Sequence, residues 1–210
     1  MKFRLTYSGL LQSSGNDNKQ AKASHKHDVR LAFHPQLMHL WEITPFLKKG
    51  RSSYNGNTWA GVGVSAEPPH RKQELESKFP INTWRFIPLV TQAMDFYCSL
   101  DVLFLRNGSR KALVNQGDLD GRLKTLLDAL SIPDSNQGYA NLTPSKASHN
   151  PMYVLLENDK QVTKISVEAD TLLEPLDPSK PDAYEVNAVR LIITVNLSPV
   201  EPANWSMPYM

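Results

Sequence analysis

Asp118 and Asp120 stand one residue apart in Gly117-Asp118-Leu119-Asp120, directly ahead of a leucine-spaced run, and Lys124 follows one helical turn later. Two carboxylates so close repel unless a cation or solvent lies between them, so the pair suits metal binding better than it suits stability. Oxygen donors of this kind favour a hard divalent ion, Mg²⁺ or Mn²⁺, over zinc. Phosphodiester hydrolysis is the chemistry such donors serve: one or two ions, about 3.5–4 Å apart when paired, activate water, neutralise the transition state and assist the leaving oxygen. A lysine on the same edge can meet transition-state charge that a metal does not reach.

These residues need elements to position them. Leu119, Leu123, Leu126, Leu127 and Leu130 are spaced as one apolar helix face, which puts Asp120, Lys124 and Asp128 along a polar edge. On that helix Asp128 is expected to pair with Lys124 at i,i+4. A single acidic residue ahead of a helix is ordinarily an N-cap. One cap does not require two carboxylates, a lysine on the same edge and a later aspartate.

Upstream, Phe96, Cys98, Leu100, Val102 and Phe104 alternate as a strand with one face in the core. Between strand and helix lies the basic stretch Arg106-Asn107-Gly108-Ser109-Arg110-Lys111, with turn chemistry at Asn-Gly. Residues 131–151 form a turn-rich connection. Strand is predicted over 154–156 and 162–167, interrupted by Glu157-Asn158-Asp159, and a last strand carries Val189, Leu191, Ile193, Val195 and Leu197 on one face.

This ordered set resembles the RusA-type crossover-junction endodeoxyribonucleases, a family of small metal-dependent enzymes that cut four-way DNA junctions. The shared steps are Asp118-Leu119-Asp120, Lys124, Asp128-Ala129-Leu130 and Asn158-Asp159-Lys160-Gln161-Val162. The resemblance implies that Asp118, Asp120 and Asp159 bind Mg²⁺ as the catalytic carboxylates and that Lys124 is the positive group beside the scissile phosphate. It also implies DNA contacts from Arg106, Arg110 and Lys111, a homodimer, and branched DNA as substrate. The chain departs from the family at Asn158, where an acidic pair has its first aspartate, with Glu157 as a substitute candidate. The match spans roughly residues 96–197 and the first strand.

Two other functions fit parts of the same pattern. Gly108-Ser109 followed by Asp-x-Asp outlines a nucleotidyltransferase, although there the paired aspartates lie in a strand. A non-catalytic branched-DNA-binding protein is the other, and Asn158 keeps it open.

Elsewhere Phe3, Leu5 and Tyr7 alternate as a first strand, and polar residues 13–26 read as a loop whose lysines could reach a polyanion. A helix is expected from Phe33, through Leu37, Leu40 and Trp41, with Pro35 tolerated in its first turn. Residues 11–24, 48–85 and 131–151 read as insertions in a single domain spanning 1–210. Trp41, Trp59 and Trp84 suit core or insert packing, and the six histidines suit loops and helix surfaces. The expected class is α/β (α+β), a mixed sheet with helices on one face and the acidic site at one edge.

Composition sets the bounds. The 210 residues, 40% hydrophobic, can bury one substantial core. The lone Cys98 excludes an internal disulfide framework and suits a reducing cytoplasm as apolar filler. No stretch approaches the roughly 20 apolar residues of a membrane span. Net charge is +2, distributed as +6 over residues 1–51, +1 over 52–156 and −5 over 157–210. The basic first quarter could hold a phosphate backbone.

Overall fold

The computed structural model describes residues 1–13, 19–48, 71–94, 96–107, 119–134, 149–173 and 187–199. The alternating strand is β4 (Phe96–Arg106), and it sits inside a four-stranded mixed sheet with β1 (Lys2–Leu10), β6 (Val162–Thr171) and β7 (Ala188–Pro199). The order is β1-β7-β4-β6, with β7 antiparallel to both neighbours and β4 parallel to β6. The period-two pattern of β7 is obeyed throughout: Val189, Leu191, Ile193, Val195 and Leu197 are all buried.

The expected single sheet is in fact two. Three strands, β2 (Pro80–Ile81), β3 (Trp84–Val90) and β5 (Met152–Leu156), form a smaller sheet in the order β2-β3-β5. The β3–β5 pair is parallel and buried on both faces, which is why these strands read as continuous apolar runs. Pro88 is tolerated because β2 pairs only with Trp84 and Arg85, leaving β3 one neighbour at that point among the described residues. Asn82, at φ 53°, supplies the left-handed residue of the β2–β3 turn.

The helices are α1 (Lys19–Ile43), α2 (Pro45–Lys48), α3 (Arg71–Lys78) and α4 (Leu119–Leu130). The helix at Phe33 exists but starts well upstream of it, so much of 13–26 is helical rather than loop. Leucines do not drive that first half; Lys, Gln and Ala support it as helix formers, and Val29, Arg30 and Phe33 bury its inner side. Pro35 consequently sits mid-helix, where a missing donor and a ring clash cost about 3 kcal/mol. Burial of Phe33, Leu37 and Trp41 against the sheet offsets that cost.

The stretch 48–85 is also more than an insertion. Its end builds α3, β2 and the start of β3, and Trp84 is fully buried in a cluster with Phe86, Met152 and Val154. The main core joins α1, α4 and the inner face of the larger sheet through residues such as Leu5, Phe33, Leu100, Phe104, Leu126 and Ile193. Cys98 is buried there, and burial pushes its thiol up to about 12. Among the described residues no helix is long and apolar enough to cross a membrane.

Candidate functional site

Helix α4 carries the central residues, and it is held at both ends. At its C-terminus the buried Arg30 of α1 donates from Nη2 to Asp128 O at 2.7 Å and from Nε and Nη2 to Ser131 O, both at 3.2 Å. A cation on the last carbonyls both caps and complements the helix dipole. Near its start Arg122 donates from Nη2 to Asn187 Oδ1 at 2.8 Å, just before β7.

The buried face of α4 is Arg122, Thr125, Leu126, Ala129 and Leu130, rotated from the leucine stripe seen in sequence. Leu119 is left exposed and Leu123 and Leu127 half-buried. Charge alone makes Arg122 look like a surface residue; its hydrogen bond to Asn187 lets it lie inward.

Asp120, in the first turn, and Lys124, one turn on, are both exposed on the same edge. A carboxylate there is favoured by the partial positive charge of the helix start. Asp128 departs from expectation: its partner is Lys26 of α1, with Nζ to Oδ2 at 2.6 Å, and not Lys124. Asp128 thus ties two helices together, and Lys124 is left to the solvent edge.

Asp159 is exposed and opens a short 3₁₀ turn over 159–161, which follows β5. The chain arrives there beside the C-terminal end of α4, since Ile132 N–H donates to Leu156 O at 3.0 Å. Asp120 is at the other end of a helix whose twelve residues span about 18 Å. The residues flanking Asp159 have structural work. Asn158 caps the turn, its Oδ1 accepting from Lys160 N at 2.9 Å while Gln161 Oε1 accepts from Asn158 N at 3.0 Å. Glu157 accepts from Gln92 N–H through Oε2 at 3.0 Å, which anchors this turn to the end of β3 and takes up the carboxylate considered as a substitute ligand.

Asp118, Arg110 and Lys111 lie outside the described residues. Arg106 is described, and it differs from the solvated loop cation expected from its sequence: it is the last residue of β4, 7% exposed, on the strand's inward face, and burial lowers its pKa. Among the described residues no three His, Cys, Asp or Glu side chains gather so as to hold a metal ion.

The histidines also differ from the surface assignment. His34 is buried, and its Nδ1 accepts from Tyr153 N–H at 3.0 Å. His25 Nε2 accepts from Gln12 N–H at 3.1 Å, a neutral-imidazole role consistent with burial lowering its pKa against the pull of Asp28. His25, Lys22, Lys26, Gln12, Ser13 and Thr125 line a small hollow beside α4. The loop reading of 13–26 points to these lysines as cations but not to the helix that presents them.

No family model matches the chain, and comparison with the curated proteins and with the solved structures finds no match either.

Proposed function

We propose that this chain is a Mg²⁺-dependent endodeoxyribonuclease that hydrolyses phosphodiester bonds in branched DNA such as Holliday junctions, working in the cytoplasm as a homodimer. One observation carries the reading. Asp120 and Lys124 are the exposed acid and base on one edge of a helix that follows a core strand, while their neighbours Arg122 and Asp128 are committed to holding that helix.

The donor chemistry at the start of α4 suits a hard cation: Asp120 offers exposed carboxylate oxygens and Asp118, two residues before it, adds a second group, while Asp159 stands at the opposite end of α4 and is not gathered with them within one chain. When bound, Mg²⁺ would supply Lewis acidity and an activated water. The chain's own part is to hold that ion on aspartates, to fix their direction through the anchored helix, and to place the Lys124 ammonium where phosphate charge grows. Cutting a two-fold junction symmetrically calls for two such sites, hence two copies.

The test is cleavage of a labelled four-way junction with Mg²⁺ or Mn²⁺ against Ca²⁺. Asp120→Asn should keep junction binding and lose cutting by at least about a hundredfold, the scale of removing a group that acts on transition-state charge. Equal cutting by the wild type and this variant would remove the assignment.

A second reading, a branched-DNA-binding protein without cleavage, is favoured by one observation: the acidic turn supplies Asp159 alone, since Asn158 and Glu157 are engaged structurally. This reading expects junction binding with no metal-dependent cutting. The nucleotidyltransferase reading is weaker, because Asp120 opens a helix instead of lying in a strand; it would require incorporation of labelled nucleotide.

A further inference from the structure

Strand β6 ends the larger sheet and is bonded to β4 along one side. Leu172 N–H donates to Arg106 O at 2.8 Å. A parallel ladder engages alternate residues, so Lys164, Ser166, Glu168 and Asp170 turn their backbone groups towards β4. Ile165, Val167, Ala169 and Thr171 turn theirs the other way. Consistent with this, Thr171 N–H is taken up by the side chain of Asp170, at 2.7 Å from Oδ1. No described strand lies beyond β6; seven of its ten residues are exposed, and Val162, Val167 and Thr171 are half-buried.

An edge of ten residues without proline or a strong bulge at its centre is a template for another strand. The sequence of this edge, VTKISVEADT, is complementary to itself when reversed about Val167. Antiparallel pairing of two copies sets Lys164 opposite Asp170, Ile165 opposite Ala169, Ser166 opposite Glu168, and Val167 opposite itself. The parity also works: the outward backbone groups of 165, 167 and 169 meet as hydrogen-bonded pairs, and 164/170 and 166/168 fall at the closer, non-bonded positions where side chains interact best. Ile165, 37% exposed, and Leu173, 89% exposed, are two of the four exposed large apolar side chains among the described residues. Both lie on or just after this strand.

We propose that β6 is the pairing strand of a homodimer: two copies join antiparallel through β6 about a two-fold axis at Val167, uniting their four-stranded sheets into one. The inference rests on the two-copy reading above for the number of chains, and not on the metal chemistry. The isologous geometry means each copy offers Lys164 and receives Asp170.

Sedimentation velocity of the full chain at tens of micromolar tests it. The wild type should sediment as a dimer. Val167→Pro should be monomeric with unchanged circular dichroism, because the lost N–H faces away from β4 and takes part in no hydrogen bond among the described residues. Lys164→Asp should weaken dimerisation about fivefold to tenfold by setting two acids face to face, and Lys164→Asp with Asp170→Lys should restore it. A monomeric wild type overturns the proposal, including one whose β6 amides are protected by some other occupant of the edge. So does a Val167→Pro dimer, and so does a charge swap that fails to rescue. Should Val167→Pro not fold, the charge swap decides alone. Sedimentation is independent of DNA cleavage, so failure of the nuclease proposal and failure of this dimer are told apart.

Discussion

His27 lies edge-on against Trp84, with ring centroids 5.0 Å apart, and is 8% exposed. Burial first, then the charges of Arg30 and His149, push its pKa down from 6.5 to about 4. The folded protein therefore keeps His27 neutral where the unfolded chain binds a proton. Its contribution is fully present above about pH 6.5, falls as the pH drops towards 4, and falls no further below that. The gap corresponds to roughly 3 kcal/mol. Urea midpoints taken from about pH 7 to about pH 4 should fall for the wild type, and His27→Gln should flatten that slope; parallel curves would remove His27 as the cause. The same scale separates the candidate site residues. Asp120 and Lys124 are legible because their types and spacing are themselves the signal, whereas the partner of Asp128 is not, since Lys26 is remote in sequence. Arg106 misleads for a related reason, since a charged residue is expected at the surface unless a buried partner is known.

Among elements, the strands read well from sequence. Alternation in β1, β4 and β7 reflects a more buried face and a more exposed one, which a sequence window displays. Helix α1 is legible only in half. Its first two turns have no apolar stripe, and Pro35 looks like a helix start when it is in fact interior. That proline is exposed, so Pro35→Ala should restore a backbone donor without opening a cavity and raise stability by about 1–3 kcal/mol, less whatever the freer unfolded chain regains. A denaturation midpoint unchanged or lowered would mean that α1 accommodates the proline ring without that cost. The split into two sheets is not legible, because β5 and β6 are adjacent in sequence and nothing local says that one pairs with β3 and the other with β4.

For the whole molecule, β4 and β7 occupy the middle of the larger sheet, flanked on both sides, while β1 and β6 are its edges. Amide exchange should therefore be slowest along 98–104 and 189–197. In β6 the amides of 165, 167 and 169 should exchange faster than those of 164, 166 and 168 in dilute protein, and slow as concentration rises and the edges pair. Protection that does not depend on concentration would show that the edge is covered within one chain.

What the sequence alone determined is the set of features whose cause is local. The α+β class follows from patterned elements, and the strand and helix around the acidic motif from their periodicities. The tertiary structure decided what depends on partners distant along the chain: that Arg30 and Arg122 anchor α4, that Asn158 and Glu157 hold the turn bearing Asp159, and that β6 stands at an edge. Burial and pairing are properties of surfaces brought together, and a linear pattern records which face is apolar but not which other face will cover it.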